Sequence, residues 1–221
     1  MAKIFTPTTG VEDWRRLLAD PDKQWRRGYS AFAAASAWEE AQGLPREVAS
    51  ILGEDAELLL AIPEHKVPLP GGQRESQCDV FALVRFGEET AAVSVEAKVN
   101  EPFGPTVGDW LRDASSGKLE RLTAICDLLG LGYPPPATLR YQLFHRTAAA
   151  IIEAHRFNTT SAAMIVHSFS QEHRWLGDFA DFCAVLGLEV ARGQPSVTKL
   201  PDGRDLILGW ATGDKRHIED L

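Results

Sequence analysis

Apolar and polar positions along the chain follow two periods. Val11 to Ala19 puts Trp14, Leu17 and Leu18 on one helical face and stops at Asp20-Pro21-Asp22. Ser30 to Gln42 is rich in Ala, has no Pro or Gly inside and closes at Gly43, which predicts a helix. Arg46 to Leu52 predicts a short second helix, ended by Gly53. The apolar run Ala56 to Ile62 predicts a first strand, and the Pro/Gly-rich stretch Pro63 to Gly72 a loop. Strands are predicted over 77–86 and 91–99, joined through Phe86-Gly87-Glu88-Glu89-Thr90 as a hairpin. Gly117 to Leu129 and Arg140 to Arg156 carry helical spacing, the latter with Leu143, Ala150, Ile151 and Ala154 inward. Ala162 to Ser168 reads as a buried strand, Arg174 to Leu186 as a helix, and Ser196 to Trp210 as a hairpin around Pro201-Asp202-Gly203.

No repeat, low-complexity tract or linker divides this order, so a single domain over 1–221 is expected. Its core spans about 29–190, with the hairpin 196–210 as an appended, exposed tail whose Trp210 offers an interface for a homodimer. The length of 221 residues, 44% hydrophobic and 24% charged, is enough for one full core. No apolar run spans a bilayer, and Met1 to Pro7 lacks a signal-type stretch, so no membrane partner is expected. Cys78, Cys126 and Cys183 are odd in number, without a CxxC pair and apolar in context. That pattern predicts reduced, buried thiols in a cytoplasmic protein and no structural zinc. The net charge of −8 argues against a large basic surface. Either cations are concentrated locally, as at Arg15, Arg16, Lys23, Arg26 and Arg27, or the chain does not hold long duplex DNA tightly by itself.

Against that acidic balance, three residues point to chemistry. Asp79 lies in Ser-Gln-Cys-Asp-Val-Phe-Ala-Leu-Val, and Glu96 and Lys98 lie in Val-Ser-Val-Glu-Ala-Lys-Val on the next predicted strand. Alternation puts Glu96 and Lys98 on one face. Acid and base on a buried-type strand cost desolvation unless they are paired or hold an ion. Two carboxylates and a lysine at a hairpin suit a hard cation and a phosphodiester. The plain alternative is a cross-strand ion pair of Asp79 with Lys98.

These residues resemble the motif of the PD-(D/E)XK nuclease superfamily, the restriction-endonuclease-like fold, over roughly Tyr29 to Ser170. Cys78 stands where the motif name has Pro. The order helix, three strands, helix, strand, helix agrees with that superfamily. The resemblance implies an α/β fold with a mixed central β-sheet flanked by helices, here with a C-terminal β-hairpin. It implies a Mg²⁺- or Mn²⁺-dependent nuclease with Asp79 and Glu96 as metal ligands and Lys98 stabilising charge. It adds an acid from the first helix, Glu39 in preference to Glu40, as a further metal ligand. It brings Gln142 and Arg146, four residues apart on one helical face, to the site; Arg146 has an ion pair with Glu153 or Asp127 as its plain alternative. Lys118, Arg121 and Arg140 are near them in sequence. The implied partner is nucleic acid, DNA in preference to RNA.

Other chemistries find no support. The histidines show no HExxH spacing, Ser115-Ser116-Gly117-Lys118 lacks the first Gly and the final Ser/Thr of a phosphate loop, and there is no GxSxG elbow. Phe103, just beyond Lys98, either stacks on a base or plugs the core edge. Two functions stay open: a metal-dependent nuclease, and a non-catalytic interaction module on the same fold.

Overall fold

The computed structural model describes residues 8–219. Met1 to Pro7, read above as lacking a leader, lie outside them. A 3-10 segment, Val11–Leu17, opens the described chain. It is followed by α1 (Pro21–Gln24), α2 (Ser30–Ala41) and α3 (Arg46–Leu52). Next come β1 (Glu57–Val67), β2 (Ser76–Phe86) and β3 (Glu89–Lys98). Then α4 (Val107–Leu111), α5 (Ser116–Leu129), α6 (Tyr141–Phe157), β4 (Ser161–Ser168), α7 (Leu176–Val185), β5 (Pro195–Lys199) and β6 (Asp205–Thr212) complete the order.

The strands form one open, mixed six-stranded sheet in the order β1-β2-β3-β4-β6-β5. β1, β2 and β3 are an antiparallel meander, β4 is parallel to both β3 and β6, and β5 returns antiparallel on β6. A parallel neighbour needs a crossover. Between β3 and β4 that crossover holds α4, α5 and α6, so the α/β architecture follows from the strand pairing. Helices cover both faces. One core layer holds Leu122, Ile125, Leu143, Phe144 and Phe182 from α5, α6 and α7; the other holds Trp38, Val48 and Ile51 from α2 and α3 against Val93 and Val95. β4 is buried along its whole length. That explains its continuous apolar run with no alternation. No helix among the described residues is long and apolar enough to cross a membrane. The three cysteines are buried and free.

Three sequence expectations are corrected here. β1 does not stop at Ile62 but runs through Pro63 to Val67. It is an edge strand, and one side of an edge strand has no ladder partner, so a residue without an N–H is tolerated there. α4 was not foreseen; five residues that include Gly108 give too little periodicity to read. The hairpin is not an appended tail. β6 pairs in parallel with β4 over eight rungs, and Trp210 is 0% exposed against Phe179 at 5.7 Å between ring centroids. Trp210 is therefore core and unavailable as a dimer contact.

The close approach of α3 to β6 rests on Gly209, where an added Cβ would lie 2.5 Å from Ile51 Cγ2. We expect Gly209→Ala to destabilise the fold by about 1–3 kcal/mol, the usual penalty of overpacking. Adding Ile51→Val should recover part of that loss. Urea denaturation of the two variants checks both statements.

Candidate active site

Three acids occupy one rung of the meander. Pro63 pairs with Val80 and His65 with Cys78, which sets Glu64 opposite Asp79 between them. On the other side of β2 the ladder ends at Val80 and Val95, so Asp79 falls in line with Glu96 where the two strands part. Asp79 closes that parting with its side chain: Ala97 N donates to Asp79 Oδ2 at 2.6 Å. Glu64 has a positive φ of 53°, a conformation that costs a non-Gly residue energy and is common at bulges and functional positions.

α6 supplies the counter-charge. Its first two turns bring Gln142 and Arg146 over the strand that carries Glu96 and Lys98. Glu96 Oε1 accepts from Lys98 Nζ and from Gln142 Nε2, the latter at 2.7 Å, and Glu96 Oε2 accepts from Arg146 Nε. Arg146 Nη1 also donates to Ser76 Oγ at 3.0 Å. All of these groups are buried or half-buried. Lys98 pairs with Glu96, so the cross-strand pair with Asp79 is not what forms. Arg146 likewise pairs with Glu96, in place of Glu153 or Asp127.

Five predicted residues thus come together: Asp79, Glu96, Lys98, Gln142 and Arg146 line one cleft of about 330 Å³. Glu64 and Glu101 join them there. Glu39 does not. Its Oε1 accepts from Trp14 Nε1 at 2.7 Å, because the indole of the opening 3-10 segment packs on α2 and needs an acceptor. Glu40 pairs outward with Arg216 at 2.6 Å. Neither acid of α2 reaches the cleft, whereas Glu64 on β1 lines it. Of the other cations named above, Lys23 lines the cleft, whereas Arg121 holds Pro70 O, Lys118 holds Trp110 O, and Arg140 pairs with Asp178. Phe103 is fully buried under Lys98 Nζ, 5.2 Å from the ring centre, and so plugs the core edge.

Burial and crowding split the acids electrostatically. Burial would raise Glu96, but the Arg146 and Lys98 charges overcome it and hold its carboxyl down at about 2. Asp79 is pushed up to about 7 by burial and then by the Glu96 charge. Glu64 is pushed up to about 8 by burial and then by Asp79. One anion is compensated by direct contacts with two cations; the other two share the pocket without a direct hydrogen bond from a charged group. His145, beside them on α6, is held well below the ordinary imidazole range by burial and by Arg146.

Some carboxylate oxygens in the cleft carry few hydrogen bonds. Among the described residues no hydrogen bond reaches Asp79 Oδ1 or Glu64 Oε1, and Glu96 Oε2 accepts only one. Among the described residues no group of three or more Asp, Glu, His or Cys side chains is placed to hold a metal ion. Mg²⁺ does not require one, since it keeps several waters and takes one or two carboxylates together with substrate phosphate.

A family model described as a domain of unknown function (DUF6946) matches residues 7–215, and the chain belongs to that family. No curated protein and no solved structure matches it.

The raised carboxyls give a pH dependence with a definite sign. Between the ordinary carboxylate range and about pH 8 the folded chain keeps protons at Glu64 and Asp79 that the unfolded chain releases. These two groups therefore contribute a loss of stability as pH rises through that window. Glu64→Gln removes one of the two groups while keeping an acceptor for Gln77. It should match the parent near pH 4 and be the more stable of the two at pH 8. Chemical denaturation at the two pH values measures the difference.

Proposed function

We propose that the protein is a divalent-metal-dependent phosphodiesterase acting on nucleic acid, with a restriction-endonuclease-like core. The observation that carries this reading is the row Glu64, Asp79 and Glu96 on adjacent strands, with Lys98 and Arg146 beside it in one cleft. The meander β1-β2-β3 followed by a parallel β4 supports the fold part of the proposal. Burial and mutual repulsion raise the Asp79 and Glu64 carboxyls, and a bound cation would relieve that repulsion on displacing their protons.

Mg²⁺ or Mn²⁺, when bound, supplies an activated water and Lewis acidity at the phosphate. Asp79 Oδ1 and Glu64 Oε1 would hold it, with Glu96 Oε2 beside them. Lys98 Nζ, already tied to Glu96, gives a donor to the phosphate oxygens as charge develops on them. Arg146 and Gln142 fix the Glu96 carboxylate between them and keep its rotamer from drifting into the cleft. Phe103 beneath Lys98 prevents the amine from withdrawing into the core.

A second reading has one observation in its favour. Glu96 is neutralised by the chain's own Lys98 and Arg146, as it would be in a non-catalytic interaction module that kept a buried ion network for its fold.

Calorimetry with Mn²⁺ and Mg²⁺ separates the two. We expect binding in the parent that disappears in Asp79→Ala combined with Glu96→Ala. Cutting of nucleic acid should fall at least a hundredfold in Asp79→Ala and in Lys98→Ala, the scale expected when a group that stabilises transition-state charge is removed. Absence of both binding and cutting in the parent would sink the phosphodiesterase and favour the module.

A further inference from the structure

On the phosphodiesterase reading above, we infer that the cleft admits a single extended nucleic-acid strand and shuts out intact duplex. The charged groups lie deep: Glu96 is 2%, Lys98 5% and Arg146 8% exposed. Above them the chain has built a roof from its N-terminal elements. Leu18, Gln24, Tyr29 and Ser30 line the same cleft as Asp79 and Lys98.

The roof is fastened. Glu101, three residues past Lys98, accepts from Ser30 N through Oε1 and from Val99 N through Oε2, each at 2.9 Å. One carboxylate thus clips the first turn of α2 to the end of the strand that carries Lys98. Its charge also sits at a helix N-terminus, where the backbone dipoles favour an anion. Hydrogen bonding to Ser30 and Val99 outweighs burial and holds Glu101 below the ordinary carboxylate range, so the clip stays ionised near neutral pH.

The cleft, about 330 Å³ and open on one side, is at the lower end of the range of about 300–1,000 Å³ for small-molecule pockets. It has room for one nucleotide and its phosphate. A duplex carries its phosphates on a broad convex surface and cannot lower one onto Lys98 beneath this roof. A single strand can thread. Tyr29 at the mouth is 41% exposed and offers a ring on which a base can stack.

The test uses the full chain with Ca²⁺ and three fluorescent probes: a twelve-nucleotide oligothymidylate, the matching oligouridylate, and a blunt DNA hairpin. Anisotropy should show one or both single strands bound at least tenfold tighter than the hairpin. Which strand binds tells DNA from RNA. Tyr29→Ala should weaken that binding about tenfold without changing the hairpin. Equal or tighter binding of the hairpin, or no binding of either single strand, overturns the inference. Cleavage with Mg²⁺ or Mn²⁺ is read separately. Cutting of covalently closed circular duplex overturns restricted access and leaves the phosphodiesterase standing. Preferential single-strand binding with no cutting of any probe does the reverse.

Discussion

A single buried anion organises this molecule. Glu96 sits at 2% exposure in the middle of the sheet and is tolerable only because Lys98, Gln142 and Arg146 all reach it. Burying a carboxylate without partners is far more expensive than any one packing contact. The placement of α6 over β3 is therefore an electrostatic requirement as well as a hydrophobic one. The helix must present two donors one turn apart at its start, while Leu143, Phe144 and Ile151 fill the core along the rest of its length. The loops before it inherit that constraint, as does the cleft that opens where β2 and β3 separate.

The same anion explains why its neighbours differ from it. The two cations reach Glu96 directly. Glu64 and Asp79 share the rung but receive only neutral donors, from Gln77 and from the Ala97 amide. Adjacent carboxyls in one cleft thus hold protons over quite different pH ranges, the kind of division that sites of proton and phosphate chemistry display.

Much of this was legible in the sequence, for reasons that can be named. Arg46–Leu52 is bounded by a Pro before it and a Gly after it, so its ends are marked locally. Asp79, Glu96 and Lys98 were found because charges interrupt strands that are otherwise apolar. Gln142 and Arg146 share a helical face, and the structure aims that face at Glu96. Glu64 was missed because Pro63 reads as a stop, and only the pairing of β1 as an edge strand removes that meaning. The surviving signal was Val67, an apolar residue still in step beyond the proline. Glu39 was claimed by Trp14, a partner 25 residues away that no local pattern announces. Trp210 looked like a hairpin surface because its true neighbours, on β4 and α7, are set by long-range parallel pairing.

The sheet also dictates an order of assembly. β1, β2 and β3 are joined by short connections, and their pairings span little sequence, so the meander can close early. Closing it places three acids on one rung. Arg146 arrives only with α6, and Ser161 of β4 finds Ala91 across 70 residues of chain. Until that docking the meander lacks the guanidinium that offsets its own crowding. It is therefore a poor candidate for an autonomous folding unit.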